Sequence, residues 1–200
     1  AIRLERCSGT ITQCKISDAG RFGLFALESK ALKINQNTVE DCADGGIIIH
    51  RYTQGYDGSR VSNNIVRRIA ASRGGTGQWG NGINIFKTDD VEITENIIED
   101  CAFSAIRANT ARDFTMNDNT CLRSGETAIY AEFSFRNAEI KNNMVIDAAN
   151  GISAVNVDVG GGGAVITGNT LVDITGPGPY HPAKGSFGHG ISAEADTLIA

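Results

Sequence analysis

The chain has 200 residues, of which 41% are hydrophobic and 20% are charged, and its formal net charge at pH 7 is −5. This length is enough to bury one core, and the negative charge gives no reason to expect a nucleic-acid partner. No apolar run approaches the roughly 20 residues of a membrane span, and residues 1–7 carry no signal-peptide pattern.

Both ends of the chain look like coils of a repeat that have been cut. Residues 4–7 resemble residues 39–42, and Ile191 starts a strand with no further coil after it. We therefore expect residues 1–200 to form a single domain that is a fragment of a longer protein, truncated at both ends. A targeting segment and end caps would belong to the missing parts.

Six asparagines recur at matching places, with spacings of 27, 32, 23, 24 and 26 residues: Asn37, Asn64, Asn96, Asn119, Asn143 and Asn169. Apolar and polar residues alternate around each of them, as in Leu32-x-Ile34-x-x-Asn37-x-Val39. Alternation with period two indicates short strands that each bury one face. A repeat of this length predicts an all-β fold, a single-stranded right-handed parallel β-helix with about seven coils.

The asparagines are expected to stack inside one bend of this β-helix. Equivalent residues of successive coils lie about 4.7–4.9 Å apart, so each amide is able to donate and accept hydrogen bonds along the axis. Cys14 occupies the same position in the first recognisable coil. A small thiol is buried there without needing such partners.

The strand that follows each bend carries the candidate site. Its predicted inward residues are Leu24, Ile47, Ile83, Ile106, Ile129, Ile152 and Ile191. Alternation then predicts two outward columns, one containing Asn84, Arg107 and Tyr130 and the other containing His50, Asn109 and Glu132. Because neighbours across coils lie about 5 Å apart, we expect one compact polar cluster, with His50 two coils from Asn109.

Three insertions fall near this face, at residues 52–60, 72–81 and 175–189. The last two enter the strand face from its leading edge, four coils or roughly 19 Å apart, and are expected to wall a groove over Asn84, Arg107 and Tyr130. Trp79 would lie in one wall, and Tyr180 with His181 in the other. Aromatic rings in such walls are suited to stacking on sugar rings.

Each of these residues also has a purely structural interpretation. Arg107 and Glu132 are diagonal neighbours, so they are equally consistent with a surface ion pair of little energetic value. Tyr130 is consistent with a cover for an apolar patch. Trp79 is consistent with an anchor that fastens its glycine-rich loop to the β-helix.

The five cysteines are predicted to be free. Cys7, Cys42 and Cys101 are assigned to one inward position, with Ile69 between the last two, which places these two about 10 Å apart. A disulfide needs Cα atoms within about 7 Å. A Cys7–Cys14 bridge is the one pairing that stays open, and no Cys-x-x-Cys pair indicates a metal site.

Three segments of the chain resemble an uncharacterised family of twin-arginine-translocated parallel β-helix repeat proteins in bacteria. They are residues 74–86 (GGTGQWGNGINIF), 101–109 (CAFSAIRAN) and 128–135 (AIYAEFSF). The resemblance extends over about residues 41–168. It implies export after folding, and hence a periplasmic or secreted protein, but supplies no reaction.

More distant likeness to the pectin-lyase-like and mannuronan epimerase β-helices suggests a lyase or C-5 epimerase acting on an acidic polysaccharide. Such chemistry needs a cation for the substrate carboxylate and groups that exchange protons. We assign the first role to Arg107 and the second to Tyr130 or His50. The substrate-binding residues would be Asn84, Asn109, Glu132, Trp79 and Lys87. The Asp-Pro-His-Asp motif of the epimerases is absent.

The alternative is a non-catalytic module that binds an envelope glycan or another protein through the same face. The exposed strand ends of a solenoid also allow end-to-end stacking with another copy or stacking on a partner protein. No cofactor is predicted. Calcium binding at acidic turns stays open, although no Asp-rich loop has enough ligands to define a calcium site.

Overall fold

The computed structural model describes residues 1–158, 160–176, 188–194 and 197–199. In these residues the protein is all-β and forms a right-handed parallel solenoid of about seven turns. Its 21 described strands are β1 (Ile2–Glu5), β2 (Gly9–Thr12), β3 (Lys15–Ser17), β4 (Phe22–Leu27), β5 (Leu32–Asn35), β6 (Thr38–Cys42), β7 (Gly45–Tyr56), β8 (Arg60–Ser62), β9 (Ile65–Ile69), β10 (Asn81–Asp89), β11 (Glu92–Thr94), β12 (Ile97–Cys101), β13 (Ile106–Asn109), β14 (Arg112–Asn117), β15 (Thr120–Glu132), β16 (Arg136–Lys141), β17 (Met144–Val155), β18 (Gly162–Thr167), β19 (Thr170–Ile174), β20 (Ile191–Ala193) and β21 (Thr197–Ile199).

Every coil contributes one strand to each of three parallel faces. The front sheet consists of β1, β4, β7, β10, β13, the second halves of β15 and β17, and β20. The second sheet runs from β2 to β21 and the third from β3 to β19. Strands β15 and β17 are long enough to turn the corner from the third sheet into the front sheet. The β-helix predicted from the repeat is confirmed.

The core is a stack of aliphatic rungs. Ile47, Ile83, Ile106, Ile129 and Ile152 are fully buried and pair in register in the front sheet. A column of glycine and alanine precedes them at the corner and includes Gly46, Gly82, Ala105, Ala128 and Gly151. A Cβ on Gly82 would lie 2.4 Å from Ile98 Cγ2, which is closer than two non-bonded carbon atoms can approach. Small residues are therefore needed where the third sheet packs against the corner.

The asparagine ladder forms as predicted. The Oδ1 atom of Asn96 accepts hydrogen bonds from the backbone N and the Nδ2 of Asn64, both at 3.0 Å. The Nδ2 of Asn96 donates to the carbonyl of Val61 at 2.9 Å and to Asn119 Oδ1 at 3.0 Å. The same pattern extends from Cys14, whose backbone N donates to Asn37 Oδ1, up to Asn169. Each amide thus joins three coils.

The residue before each ladder asparagine has a left-handed backbone, with φ between 54° and 57° at Gln36, Asn63, Glu95, Asp118 and Asn142. The corresponding residue in the last described coil is Gly168. This conformation disfavours most side chains but is tolerated by glycine, asparagine and aspartate. The bend therefore has two parts, a left-handed residue that turns the chain and an inward amide that holds the turn.

All five cysteines are free, as predicted. Cys42 and Cys101 lie at one inward position with Ile69 between them. The assignment of Cys7 to that position is wrong, because β1 pairs with β4 and belongs to the front sheet. Cys7 lies instead in the next bend, where its backbone N donates to Ser29 Oγ at 3.1 Å.

The ladder makes a stability prediction for Asn96→Ala. The substitution removes the acceptor of two buried N–H groups of Asn64 and the donor to Val61 and Asn119. Because unpartnered buried polar groups each cost about 1–3 kcal/mol, we expect the free energy of unfolding to fall by about 2–4 kcal/mol. Urea denaturation measures this. Asn35→Ala, on the outer face of β5, is the control and should change stability by less than about 0.5 kcal/mol. Equal effects of both substitutions would contradict the ladder.

The thiols make a second prediction. Burial raises the pKa of Cys42 to about 11 and that of Cys121 to about 12, and it also raises the pKa of the fully buried Cys101. We therefore expect only Cys7 and Cys14, which are half-buried, to react rapidly with Ellman's reagent at pH 8. All five should react in denaturant. A Cys7–Cys14 disulfide would leave no rapid thiol in the native protein.

Candidate functional site

The front sheet places the predicted outward columns as expected. Asn84 pairs with Arg107, and Arg107 pairs with Tyr130 on the next rung. In the second column, the rungs run in the order His50, Phe86, Asn109 and Glu132. Arg107 and Tyr130 are therefore adjacent on one wall of the solenoid. His50 lies two rungs from Asn109.

Arg107 and Glu132 form a buried ion pair, with exposed fractions of 8% and 3%. The guanidinium donates to the Glu132 carboxylate through Nε and Nη2, and to the carbonyl of Gly77 through Nη1. Asn109 Nδ2 donates to the same Glu132 oxygen at 2.9 Å. The alternative of an exposed ion pair of little value is therefore wrong. Removing one partner of a buried pair is costly, because it leaves the other charge uncompensated.

The loop formed by residues 72–81, called loop 72–81 below, covers this pair. Gly77 is buried and its carbonyl accepts from both Arg107 and Asn81 Nδ2, the latter at 2.8 Å. The Trp79 ring lies 5.7 Å from the Phe22 ring, measured between centroids. Trp79 thus helps to fasten the loop to the β-helix, as its structural interpretation predicted. Its predicted contact with a ligand stays a prediction.

Glu126 belongs to this cluster and was missed by the sequence reasoning. A Cβ placed on Gly77 would lie 3.2 Å from Glu126 Oε2, so the carboxyl group lies directly beneath loop 72–81. Burial raises the pKa of Glu126 to about 7; Arg107 and Ser104 lower it, and Glu132 raises it further. The carboxyl group therefore exchanges its proton near neutral pH.

An irregularity in β15 explains the omission of Glu126. Ser124 pairs with Ala148 and Thr127 pairs with Asn150, so β15 has one residue more than β17 at this corner. The alternation was applied only from Ile129 onward, so it did not include the residues of this bulge. The spacing from Cys121 to Ile129 is the same as from Val39 to Ile47 and from Ile98 to Ile106, so no unusual spacing in the sequence marked Glu126.

Tyr130 lies on the rung next to Arg107 and two residues before Glu132 in β15. Its hydroxyl accepts a hydrogen bond from Asn156 Nδ2 at 2.9 Å. Burial raises the pKa of Tyr130, and the carboxyl groups of Glu132 and Glu126 raise it further. The phenol therefore keeps its proton at neutral pH. Asn156 was not identified from the sequence, because it follows the last outward position of its strand.

A groove with a volume of about 720 Å³ lies over the front sheet, between its first coils and loop 72–81. Its floor is a row of half-buried rings formed by Phe25, His50 and Phe86. The His50 ring stacks on Phe86 with a centroid distance of 4.7 Å and lies 6.1 Å from Phe25. Tyr52 meets His50 edge-on at 5.8 Å, and Trp79 lines the wall.

The polar end of the groove is formed by Asn84, Asn109 and Arg107. Asn84 is only 8% exposed, and its Oδ1 atom is buried with no hydrogen-bond partner among the described residues. Buried polar atoms almost always have a partner in native proteins. A donor from water or from a ligand in the groove would satisfy this acceptor.

His50 lies in the floor of the groove, whereas Lys87, predicted to bind substrate, is not among the residues that line it. Burial lowers the pKa of His50, and the Lys87 ammonium lowers it further against the opposing effect of Glu28. The imidazole is therefore neutral at pH 7 and acts mainly as a flat ring in the floor. Lys87 Nζ lies 5.1 Å from the centre of the Phe86 ring.

The groove differs in position from the predicted one. Tyr130 and Glu132 do not line it, because loop 72–81 separates them from the aromatic floor. Tyr180 and His181, predicted to form a second wall, lie outside the described residues. The predicted site residues are thus divided between the open groove and a covered cluster, which consists of Arg107, Tyr130 and Glu132 together with Glu126. Arg107 belongs to the cluster and also reaches the polar end of the groove.

Comparison with known proteins fits this architecture. The family model described as right handed beta helix region matches residues 1–171. The chain belongs to the right-handed β-helix family. Comparison with curated proteins and with solved structures gave no match. Because the family is defined by its fold, the function of this right-handed β-helix protein has to be argued from the site itself.

In the described part of this β-helix protein, no group of three or more His, Cys, Asp or Glu side chains is placed to hold a metal ion. Calcium binding at the acidic turns therefore stays a prediction. No helix in the same residues is long and apolar enough to cross a membrane.

The Glu126 carboxyl group predicts how stability depends on pH. Its pKa is raised from 4.5 to about 7 in the folded β-helix, so the folded state retains a proton that the unfolded state loses. Glu126 therefore lowers stability progressively as pH rises from about 4.5 to 7, by roughly 1–3 kcal/mol in total. We expect Glu126→Gln to match the unsubstituted protein at pH 4 and to be more stable than it at pH 8.

Urea denaturation at a series of pH values checks this expectation. Glu95→Gln is the control, because Glu95 is exposed on another bend and makes one hydrogen bond to Asn63. A difference between Glu126→Gln and the unsubstituted protein that does not change with pH would show that Glu126 is not the group responsible.

Proposed function

We propose that this β-helix protein binds a glycan, without turning it over, in the groove over the front sheet. The observation that carries the proposal is a groove that combines the ring row of Phe25, His50 and Phe86 with the unpartnered Oδ1 of Asn84. Sugar rings have apolar faces that stack on aromatic rings and hydroxyl groups that donate hydrogen bonds. The groove supplies a partner for both.

The size of the groove supports this proposal. Ligand pockets typically have volumes of about 300–1,000 Å³, and the groove, at about 720 Å³, lies within this range. Its ring row extends across three coils, from β4 through β7 to β10. An extended ligand that repeats along its length fits such a floor better than a compact metabolite does.

The charged residues favour binding over catalysis. Arg107 is held by Glu132 and by the Gly77 carbonyl, so its guanidinium is not free to neutralise a substrate carboxylate. Tyr130 keeps its proton and does not line the groove. His50 is packed between two aromatic rings. The carboxylate-binding role predicted for Arg107 and the proton-transfer role predicted for Tyr130 would require a rearrangement of loop 72–81.

A lyase or C-5 epimerase acting on an acidic polysaccharide is the second candidate, and Glu126 is the observation that favours it. A carboxyl group with a pKa of about 7 is suited to general acid–base chemistry. It lies near Arg107 and on the same wall as Tyr130. Loop 72–81 would have to lift from Arg107 before a polymer reached these groups.

One experiment separates the two candidates. The purified protein is incubated with a panel of acidic and neutral oligosaccharides, and both retention and the absorbance of unsaturated products are followed. Retention without new absorbance supports the binding module, and new absorbance supports the lyase. If product forms but persists after Arg107 and Tyr130 are changed to alanine, the roles assigned to them are wrong. Absence of both signals contradicts both candidates.

The groove makes a prediction for Phe86→Ala and Asn84→Ala. The first removes the ring on which His50 stacks, and the second removes the buried acceptor. We expect each to weaken glycan binding by about tenfold or more, which corresponds to about 1.4 kcal/mol. Isothermal titration calorimetry measures the loss.

Tyr56→Ala is the matched control, because Tyr56 is an exposed ring at the end of β7, in the neighbouring coil, and does not line the groove. Tyr56→Ala should change the glycan affinity by less than about twofold relative to the unsubstituted protein. Equal losses in Tyr56→Ala and Phe86→Ala would place the binding surface elsewhere.

A further inference from the structure

The charges around the groove are unlike those of the chain as a whole. The chain has 23 acidic and 18 basic residues, yet the groove lining contains three arginines and no aspartate or glutamate. These are Arg3, Arg21 and Arg107. A groove with cations and without acids attracts anions even in a protein of negative net charge, because the local potential governs binding.

One of these three arginines has no acidic partner among the described residues. Arg107 is neutralised by Glu132, and Arg3 lies 2.9 Å from the Glu5 carboxylate. Arg21 makes no ion pair within the described residues; its guanidinium carbon lies 4.7 Å from the centre of the Phe22 ring and 5.2 Å from that of Trp79. It is also solvent-exposed.

Contact with two aromatic rings holds the Arg21 side chain in place for binding an anion. The rings hold the guanidinium by cation–π contact, which uses the face of the group. Its N–H donors lie in the plane of the group and remain free for a bidentate contact with two oxygen atoms. Holding the side chain in advance also reduces the conformational entropy lost on binding.

We propose that Arg21 is the anion-recognition residue of the groove and makes it selective for ligands that carry a carboxylate or sulfate group. This inference rests on the proposed glycan function, because it names the charge class of that ligand. It also moves the carboxylate-binding role from Arg107, to which the sequence reasoning assigned it, to a residue at the open end of the groove.

The first test uses Trp79 as a probe that needs no glycan. Trp79 is the only tryptophan of the chain and lies against Arg21. We expect glucuronate and sulfate, each added at constant ionic strength, to change its fluorescence in a saturable manner. The response should be absent in Arg21→Gln. A response that persists in this variant, or the lack of any response in the unsubstituted protein, would overturn the anion site.

The second test measures selectivity. A uronate oligosaccharide, its carboxyl-reduced neutral counterpart and a sulfated oligosaccharide are compared by calorimetry, and the two acidic arms show which anion is preferred. We expect Arg21→Gln to weaken binding of an acidic ligand by about tenfold and to leave the neutral ligand within about twofold. Arg21→Lys, which retains the charge without the planar fork, should be intermediate.

The control is Arg136→Gln, which changes the net charge equally on an exposed arginine outside the groove. Equal losses for acidic and neutral ligands in Arg21→Gln would mean that Arg21 only supports Trp79, and would overturn the proposal. A fluorescence response to anions combined with no retention of any glycan would contradict the glycan function while leaving the anion site in place. The two failures are therefore distinguishable.

Discussion

The structure depends on the hydrogen bonds between stacked asparagines at one bend of the β-helix. Each ladder amide accepts from one neighbouring coil and donates to the coil on its other side, so a displaced coil would leave several buried polar groups unpartnered. The ladder thereby sets which residues of successive coils become neighbours. It is this register that brings Asn84, Arg107 and Tyr130 together on one wall, although they are more than 20 residues apart in sequence.

A second interaction divides that wall into two parts. Arg107 joins Glu132 to the carbonyl of Gly77 and so ties loop 72–81 to the front sheet. The covered cluster holds the ionisable carboxyl group of Glu126, whereas the open groove holds the aromatic floor and Arg21. Binding and proton chemistry thus occupy different sides of one loop. The open side already presents its ring row to a ligand.

The repeat predicted the fold and the outward columns because strand alternation and coil spacing follow directly from residue order. It did not reveal Glu126, since a one-residue bulge in β15 places that side chain outside the alternation. The sequence also did not show that Arg107 would be buried, because burial depends on how loop 72–81 folds back. Cys7 was misplaced for a related reason: four residues at the start of the chain fit two faces of the repeat, and only the pairing of β1 with β4 decides between them.

Hydrogen–deuterium exchange in the presence of an acidic oligosaccharide locates the binding surface without substitutions. We expect slower exchange in peptides that cover loop 72–81 and the strand β7, and no change in peptides from the second sheet, such as β14 and β16. Protection confined to the second or third sheet, or no protection at concentrations that saturate binding, would contradict a glycan site in the groove.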